Sequence, residues 1–413
     1  MLKYIKNELF VEKVSVSKLA KKYNTPLYVY SQDKIESNFN AYKVGFKGVD
    51  SIICYAMKAN SNSAILRLLA KLGAGADIVS GGELYRALKA GINSQKIVYS
   101  GVGKTSQEIE FALKSNILMF NVESFEELEK INKIAGKLKK KARISFRVNP
   151  NVDAHTHKYI TTGKEGNKFG IRYEEAFDIY MKASKMKNVE IVGVDSHIGS
   201  QILDVAPFKL AAEKMSALID KLENNGIKIK YIDIGGGLGI KYTSTDKPQK
   251  PIDLRKIIMP VYSKYKDKTI IIEPGRAIVG DTGILVGEVL YRKASGTKNF
   301  IITNLAMNDL IRPALYESYH NVIPVKKSSK KQQIADVVGP VCESGDFIAK
   351  DRKLPVFEQG DFIVAECAGA YGRAMASQYN SRPRGAEVLV KGSKVKVIRK
   401  AETIQDLMSK EVK

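Results

Sequence analysis

Ile52-Ile53-Cys54-Tyr55-Ala56-Met57, followed at once by Lys58-Ala59-Asn60, is the stretch that sets the reading of this chain. A short apolar run ended by a polar break fits a buried β-strand. The same kind of run recurs at 76–79, 97–99, 119–122, 144–148, 191–195, 231–234 and 269–272, with amphipathic helical stretches between. That is the rhythm of βα units. Eight of them in roughly 250 residues suggest a closed (β/α)8 barrel of the TIM type rather than an open doubly wound sheet. The helices carry their own signals. Thr105 with Glu108, and Ser124 with Glu127, have capping-box spacing. Gly73 and Gly91 stand where a left-handed residue ends a helix.

Beyond about residue 280 the texture changes. Short β-type runs at 283–290, 300–303, 321–325, 361–365, 388–390 and 394–399 alternate with Gly, Pro and charged turns. This predicts a C-terminal β-rich module, a sandwich or barrel-like domain. The run 27–30 precedes the eight units and could feed either part. The expected division is a barrel over 25–280 and a β-rich domain over 281–413 together with 1–24.

Bulk composition narrows the class. An apolar fraction of 44% supports a sizeable core. Three scattered cysteines, Cys54, Cys342 and Cys367, exclude a disulfide framework and fit a reducing cytosol. The opening Met1-Leu2-Lys3-Tyr4-Ile5-Lys6 breaks its apolar residues with charge, unlike a secretory signal. Nothing approaches the ~18 uninterrupted apolar residues of a membrane span, so the expectation is a soluble, cytoplasmic protein. The formal charge of +23 raises the question of nucleic acid. The lysines are dispersed, and the runs at 137–143 and 326–331 lack interleaved aromatics, so no nucleic-acid partner is expected. A positive field would instead help gather an anionic substrate or cofactor.

In such a barrel the reactive groups gather at the C-terminal ends of the strands. Four segments deliver unusual residues there: Lys58 after the first strand, Asp195-Ser196-His197-Ile198-Gly199-Ser200-Gln201 after the sixth, Gly235-Gly236-Gly237-Leu238-Gly239 after the seventh, and Glu273-Pro274-Gly275-Arg276 after the eighth. This set suits pyridoxal 5'-phosphate. A lysine amine holds the aldehyde as a Schiff base, glycines admit backbone amides to a phosphate, a carboxylate keeps the ring nitrogen protonated, and a histidine stacks on the ring. Each feature alone has an ordinary alternative: a strand-capping lysine, a tight turn, a rim ion pair between Glu273 and Arg276, a structural histidine. Their convergence on one rim is the argument. His155 and His157 have a ligand-like spacing, but four histidines in all provide no complete set, and no metal is expected.

With these segments in view, the chain resembles the diaminopimelate decarboxylase family, within the alanine-racemase-like, fold type III class of pyridoxal-phosphate enzymes. The matching stretches begin with Tyr55-Ala56-Met57-Lys58-Ala59-Asn60, Ser80-Gly81-Gly82-Glu83-Leu84, Asp153-Ala154-His155-Thr156-His157 and Lys168-Phe169-Gly170-Ile171. After the three rim segments already quoted come Met307-Asn308-Asp309-Leu310-Ile311-Arg312-Pro313-Ala314-Leu315-Tyr316, Cys342-Glu343-Ser344-Gly345-Asp346 and Gly369-Ala370-Tyr371-Gly372. The resemblance implies decarboxylation of meso-2,6-diaminopimelate to L-lysine and carbon dioxide, the last step of lysine biosynthesis. It implies Lys58 as the Schiff-base lysine and His197 as the stacking residue. Gly235, Gly236, Gly237, Gly275 and Arg276, with Ser200, would line the phosphate, and Glu273 would pair with the pyridine nitrogen. Arg276, Arg312 and Tyr316 would hold the distal carboxylate of the substrate and Glu343 its ammonium. Tyr371 would touch cofactor and substrate, and Cys342 would act as the reprotonating acid. A homodimer with shared active sites is implied, since Cys342 and Glu343 reach a partner's site in the family.

One departure stands out. Where the family usually carries an acidic and small residues before Met307, this chain has Asn304-Leu305-Ala306. Sister decarboxylases acting on ornithine, arginine or carboxynorspermidine share the cofactor set and differ only at the substrate end, where Glu343, Arg312 and Tyr316 favour diaminopimelate. A racemase of this fold would place an arginine, not Glu273, at the ring nitrogen. A non-catalytic pyridoxal-phosphate carrier would have no use for Cys342 and Tyr371.

Overall fold

A computed structural model of the chain describes residues 1–153, 168–327 and 329–412. His155 and His157 lie outside the described residues. There are two compact units: Asn38–Ile240 with Lys247–Ala277, and Met1–Ser37 with Lys241–Asp246 and Ile278–Lys413.

The first unit is built on a closed barrel. Its strands are Ser51–Ala56, Gly75–Ile78, Ile97–Tyr99, Met119–Val122, Ala142–Asn149, Val189–Asp195, Tyr231–Asp233 and Thr269–Ile272. They pair in that order, all parallel, and the eighth returns to the first through Ile270 opposite Ser51 and Ile272 opposite Ile53. The eight strands therefore fall where the apolar runs predict, within two residues at either end. Parallel pairing puts all eight C-terminal ends on one rim, which is what gathers the site. A further short strand, Ile171–Arg172, pairs beside Val148 and Asn149.

Local signals explain the helices. Thr105 Oγ1 accepts from Glu108 N at 3.3 Å and Glu108 Oε2 accepts from Thr105 N at 3.0 Å, a complete capping box opening Ser106–Lys114. The Ser124 cap is only half of one. Ser124 Oγ accepts from Glu127 N at 3.2 Å, but Glu127 Oε2 takes the N–H of Glu123 at 3.1 Å, one residue upstream of the expected donor. Gly73 and Gly91 have φ of +94° and +85°, the left-handed turn a side chain would strain.

The second unit holds a β-sheet ordered Phe347–Pro355, Gln332–Val338, Lys298–Thr303, Gly283–Ser295, Leu27–Ser31, Ala386–Lys391, Lys394–Arg399. Leu27–Ser31 thus joins this sheet, antiparallel to Gly283–Ser295 and parallel to Ala386–Lys391. Val322–Pro324 and Phe362–Ala365 pair at its side. A three-stranded sheet of Leu2–Ile5, Glu8–Val11 and Val14–Ser15 belongs to the same unit. Leu9, Val11, Leu27, Val29, Ile284, Val286 and Val388 are buried in one cluster of its core.

The departure at 304–306 has a structural account. Asn304 Oδ1 accepts from Glu288 N at 2.8 Å, and Asn304 Nδ2 donates to Thr25 Oγ1 at 2.7 Å. Leu305 is fully buried over Gly287, where a Cβ would lie 2.2 Å from Leu305 Cγ. The bulky residue is accommodated because its neighbour lacks a side chain. Gly287→Ala should therefore cost about 1–3 kcal/mol by overpacking, read as a lower urea midpoint. A double-mutant cycle with Leu305→Ala should return a favourable coupling, and additivity would reject the contact. Nearby, burial pushes the Asp309 carboxyl up to about 7 from 3.8, against the lowering effect of the Ala306 N–H. The folded chain then binds a proton that the unfolded chain releases near 3.8, so this group's stabilisation is lost as pH rises from about 4 to 7. Asp309→Asn should flatten that slope in melting temperatures taken across the interval; an unchanged slope would assign it to another group.

Candidate active site

Within the barrel unit the C-terminal rim carries the expected residues on their expected segments. Ser51–Ala56 runs directly into a single turn, Met57–Ala59, which presents Lys58. Lys58 Nζ lies 2.7 Å from Asp77 Oδ2, at the end of the neighbouring strand Gly75–Ile78. Asp77 is fully buried while the lysine side chain is about one-third exposed. The amine is therefore held at the mouth of the barrel by a carboxylate rooted in its interior.

Glu273, expected at the ring nitrogen, has two carboxyl neighbours that the sequence did not single out. Asp195 and Asp233 sit directly opposite each other in the register of adjacent strands, and Glu273 follows the next strand; all three are buried. Their nearest oxygens lie within 4.8 Å of one another. Burial pushes all three carboxyls well above the usual range, and each is raised further by its neighbours: Glu273 by Asp233 and Asp77, Asp233 by Asp195, Asp195 by Glu273. Like charges this close and this dry cannot all ionise. Asn121 braces the group from strand Met119–Val122. Its Nδ2 faces Asp233 Oδ2 at 3.3 Å, Glu273 Oε1 at 3.4 Å and Ser100 Oγ at 3.1 Å, and its Oδ1 accepts from Ser145 Oγ at 2.6 Å. The three carboxyls form the cluster with metal-ligand spacing found among the described residues. Asp233 Oδ1 already accepts the Gly235 N–H at 2.9 Å, and Oδ2 faces Asn121, so the group is organised around protein donors.

His197 is half-buried and follows Asp195 by two residues, just past the end of strand Val189–Asp195. Its Nδ1 accepts the Gly236 N–H at 3.1 Å, which places the ring proton on Nε2. Burial lowers its affinity for a second proton well below the usual range, and the positive charges of Arg147 and Lys58 lower it further. The ring is neutral. The glycine run is needed for close backbone approach. A Cβ on Gly236 would lie 2.1 Å from Glu273 O, and one on Gly237 2.7 Å from Gly199 O. Gly275 packs on Ala56, where a Cβ would meet the alanine Cβ at 3.0 Å. These glycines bind neighbouring rim segments together, a role distinct from the expected phosphate contact. Arg276 is buried, with Nη2 and Nε donating to Ser200 Oγ at 3.1 and 3.3 Å, so a guanidinium and a hydroxyl stand together, a pair chemically suited to an anion.

This donor set fits pyridoxal phosphate. An amine stands at the mouth, a phosphate-type cradle at Ser200 and Arg276, and a crowd of buried carboxyls in want of positive charge ends in Glu273. A protonated pyridine nitrogen would supply that charge.

The remaining candidates lie in the second unit. Arg312 is buried at the start of the single-turn helix Arg312–Tyr316, and Tyr316 is half-buried. Cys342 and Glu343 are exposed. Their loop is tied down by Asp346, whose Oδ2 accepts Val341 N at 2.7 Å and whose Oδ1 accepts Met307 N at 2.6 Å, so one carboxylate joins the 342–346 and 307–316 segments. Glu343 Oε2 accepts from Tyr379 Oη at 2.7 Å. Tyr371 is half-buried with a φ of +57°, an uncommon backbone state for a tyrosine. Around Arg312, Tyr242, Ser318 and His320 were not anticipated, and no apolar pattern or motif marks them.

Comparison with known proteins agrees with this chemistry. The family described as "Pyridoxal-dependent decarboxylase, pyridoxal binding domain" matches residues 32–280. The diaminopimelate decarboxylase of Aquifex aeolicus is 54% identical over 97% of this chain and 95% of its own length. That of Haemophilus influenzae is 47% identical over 99% and 98%. Among solved structures, diaminopimelate decarboxylase from Helicobacter pylori complexed with L-lysine superposes with a TM-score of 0.92 at 48% identity, covering 95% of this chain and 98% of the other. The M. jannaschii enzyme in complex with L-lysine gives 0.95 at 40% identity, covering 100% and 97%. With near-complete coverage at this level of identity, the chain belongs to the diaminopimelate decarboxylase family of pyridoxal-dependent decarboxylases.

Proposed function

We propose that this protein decarboxylates meso-2,6-diaminopimelate to L-lysine and carbon dioxide with pyridoxal phosphate, closing lysine biosynthesis. The observation that carries the reading is the pairing of Lys58 with a rim of buried carboxyls ending in Glu273, within a chain of this family. Pyridoxal phosphate, when bound, supplies an aldehyde that captures an amine and a cationic ring that accepts the electron pair left by departing carbon dioxide.

Each residue then has a task. Lys58 Nζ carries the cofactor, and Asp77 fixes where that nitrogen sits. Glu273 keeps a proton at the ring nitrogen. Its own high proton affinity, caused by burial beside Asp233 and Asp77, makes it ready to share one. His197, neutral, offers a flat uncharged face for stacking. Ser200 and Arg276 hold the phosphate, with Gly237 and Gly275 beside them, since the Gly235 and Gly236 N–H groups already serve Asp233 and His197. Arg312, Tyr316 and Arg276 hold the distal carboxylate, for which guanidinium forks are the matched partners. Glu343 holds the distal ammonium, Tyr371 contacts cofactor and substrate, and Cys342 delivers the proton that replaces the lost carboxylate. The exposure of Cys342 and Glu343 supports a homodimer in which they serve a partner's site. Among the described residues no helix is long and apolar enough to cross a membrane, and the cytoplasm is the proposed location.

Carbon dioxide release should be at least about tenfold faster, as kcat/KM, from meso-diaminopimelate than from ornithine, arginine or lysine, the order of one lost charged contact. A preference for ornithine would overturn the substrate assignment. Lys58→Ala should abolish the absorbance of covalently held cofactor, and a retained spectrum would remove that lysine from its role. Cys342→Ala should keep the cofactor spectrum yet lose about 10²-fold or more in kcat, the usual scale of a positioned proton donor. Near-normal turnover would exclude the thiol as the acid.

A further inference from the structure

The environment of Arg312 is more specified than a substrate contact alone requires. The guanidinium is buried, and Nη1 is shared between two acceptors, Tyr242 Oη at 3.0 Å and His320 Nε2 at 2.9 Å. Nη2 donates to Ser318 Oγ at 3.1 Å. The carbon of the guanidinium lies 5.0 Å from the centre of the Tyr242 ring, and that ring meets His320 edge-on at 5.5 Å.

His320 is fully buried, and its two nitrogens have opposite partners. Nδ1 lies 2.8 Å from Glu366 O. A carbonyl oxygen can only accept, so Nδ1 bears the proton. Arginine nitrogens can only donate, so Nε2 is the lone-pair nitrogen. The two contacts leave one solution, a neutral imidazole protonated at Nδ1. The carbonyl that selects it is itself fixed: Glu366 N donates to Asn321 O at 2.9 Å and Asn321 Nδ2 donates to Glu366 Oε2 at 2.8 Å. Next along the chain, Val322 pairs with Ala365 in the sheet. A strand ladder thus sets a carbonyl, the carbonyl sets a tautomer, and the tautomer sets an arginine.

We infer that His320 is a positioning residue for substrate recognition, holding the Arg312 guanidinium in the plane that meets the distal carboxylate. The inference rests on the proposed role of Arg312 and deepens it. Pairing of guanidinium with carboxylate is planar and directional, so the plane matters as much as the charge. L-lysine keeps the carboxylate distal to the reacting centre of diaminopimelate, so substrate and product should depend on His320 alike, while the decarboxylation step should not.

Two near-isosteric variants separate the contacts. Asparagine at 320 reaches the Glu366 carbonyl but falls short of Arg312. Glutamine extends an amide oxygen to where Nε2 lies. With the holoenzyme, His320→Asn should raise KM for meso-diaminopimelate and the inhibition constant of L-lysine together, by about tenfold or more. Its kcat should stay within about twofold, and its cofactor absorbance and melting temperature near those of the parent, as expected where only binding is lost. His320→Gln should restore most of the affinity. Equal losses in both variants, or none in His320→Asn while Arg312→Lys raises KM, would overturn the inference and leave the role of Arg312 standing. An unchanged KM in Arg312→Lys would instead remove the reading of Arg312, and this inference with it.

Discussion

The constraint on which the rest depends is the confinement of Asp195, Asp233 and Glu273 in the dry end of a parallel barrel. Strand register leaves no freedom here, because Asp195 stands opposite Asp233 and Glu273 follows the very next strand. Removing one carboxylate from water is costly, and removing three side by side is tolerable only if protons or cations accompany them. Lys58 against Asp77 meets part of that need, Asn121 spreads hydrogen-bond donors between two of the carboxyls, and their raised proton affinities describe what remains. A site built this way is strained electrostatically before any ligand arrives. It is suited to a cofactor that brings a protonatable ring.

The barrel was legible in the sequence because its strands are buried on both faces and read as plain apolar runs. The candidate rim was legible as a place, since lysine, histidine and glycine clusters stand where those runs stop. The acidic layer was harder to see. Asp77 lies inside Ala76-Asp77-Ile78, and Asp233 inside Ile232-Asp233-Ile234, where one polar residue in an apolar strand looks like an ordinary break. That the two face a common interior is a property of the closed register, which no single strand reveals.

The β-rich unit was less legible for a related reason. Gln332–Val338 and Phe347–Pro355 pair with each other but carry Lys350, Asp351, Arg352 and Lys353 through the middle of the second strand, and three of these four side chains are exposed. Exposure in mid-strand replaces the apolar run with charge. Gly283–Ser295 likewise continues through exposed Tyr291-Arg292-Lys293 well past the expected end, because its partner strand Lys298–Thr303 satisfies the backbone regardless of side chain. Leu27–Ser31 sits between strands that follow it by more than 250 residues. Four of its five buried positions were visible as the apolar run 27–30, and its partners were not.

Two histidines show how much chemistry the backbone decides. His197 accepts a backbone N–H at Nδ1 and is left protonated at Nε2, whereas His320 gives its Nδ1 proton to a backbone carbonyl and keeps Nε2 as an acceptor. Each lies among cations, Arg147 and Lys58 for the first and Arg312 for the second, where a charged imidazole would be repelled. The same residue type is thus held neutral twice, in opposite tautomers, by one backbone group each. The first presents a face and the second a lone pair. Neither outcome can be read from composition or spacing, since both depend on which main-chain atom a neighbouring segment happens to present. Residue identity therefore tells where chemistry can occur, and the hydrogen-bonded frame around it determines which chemistry that is.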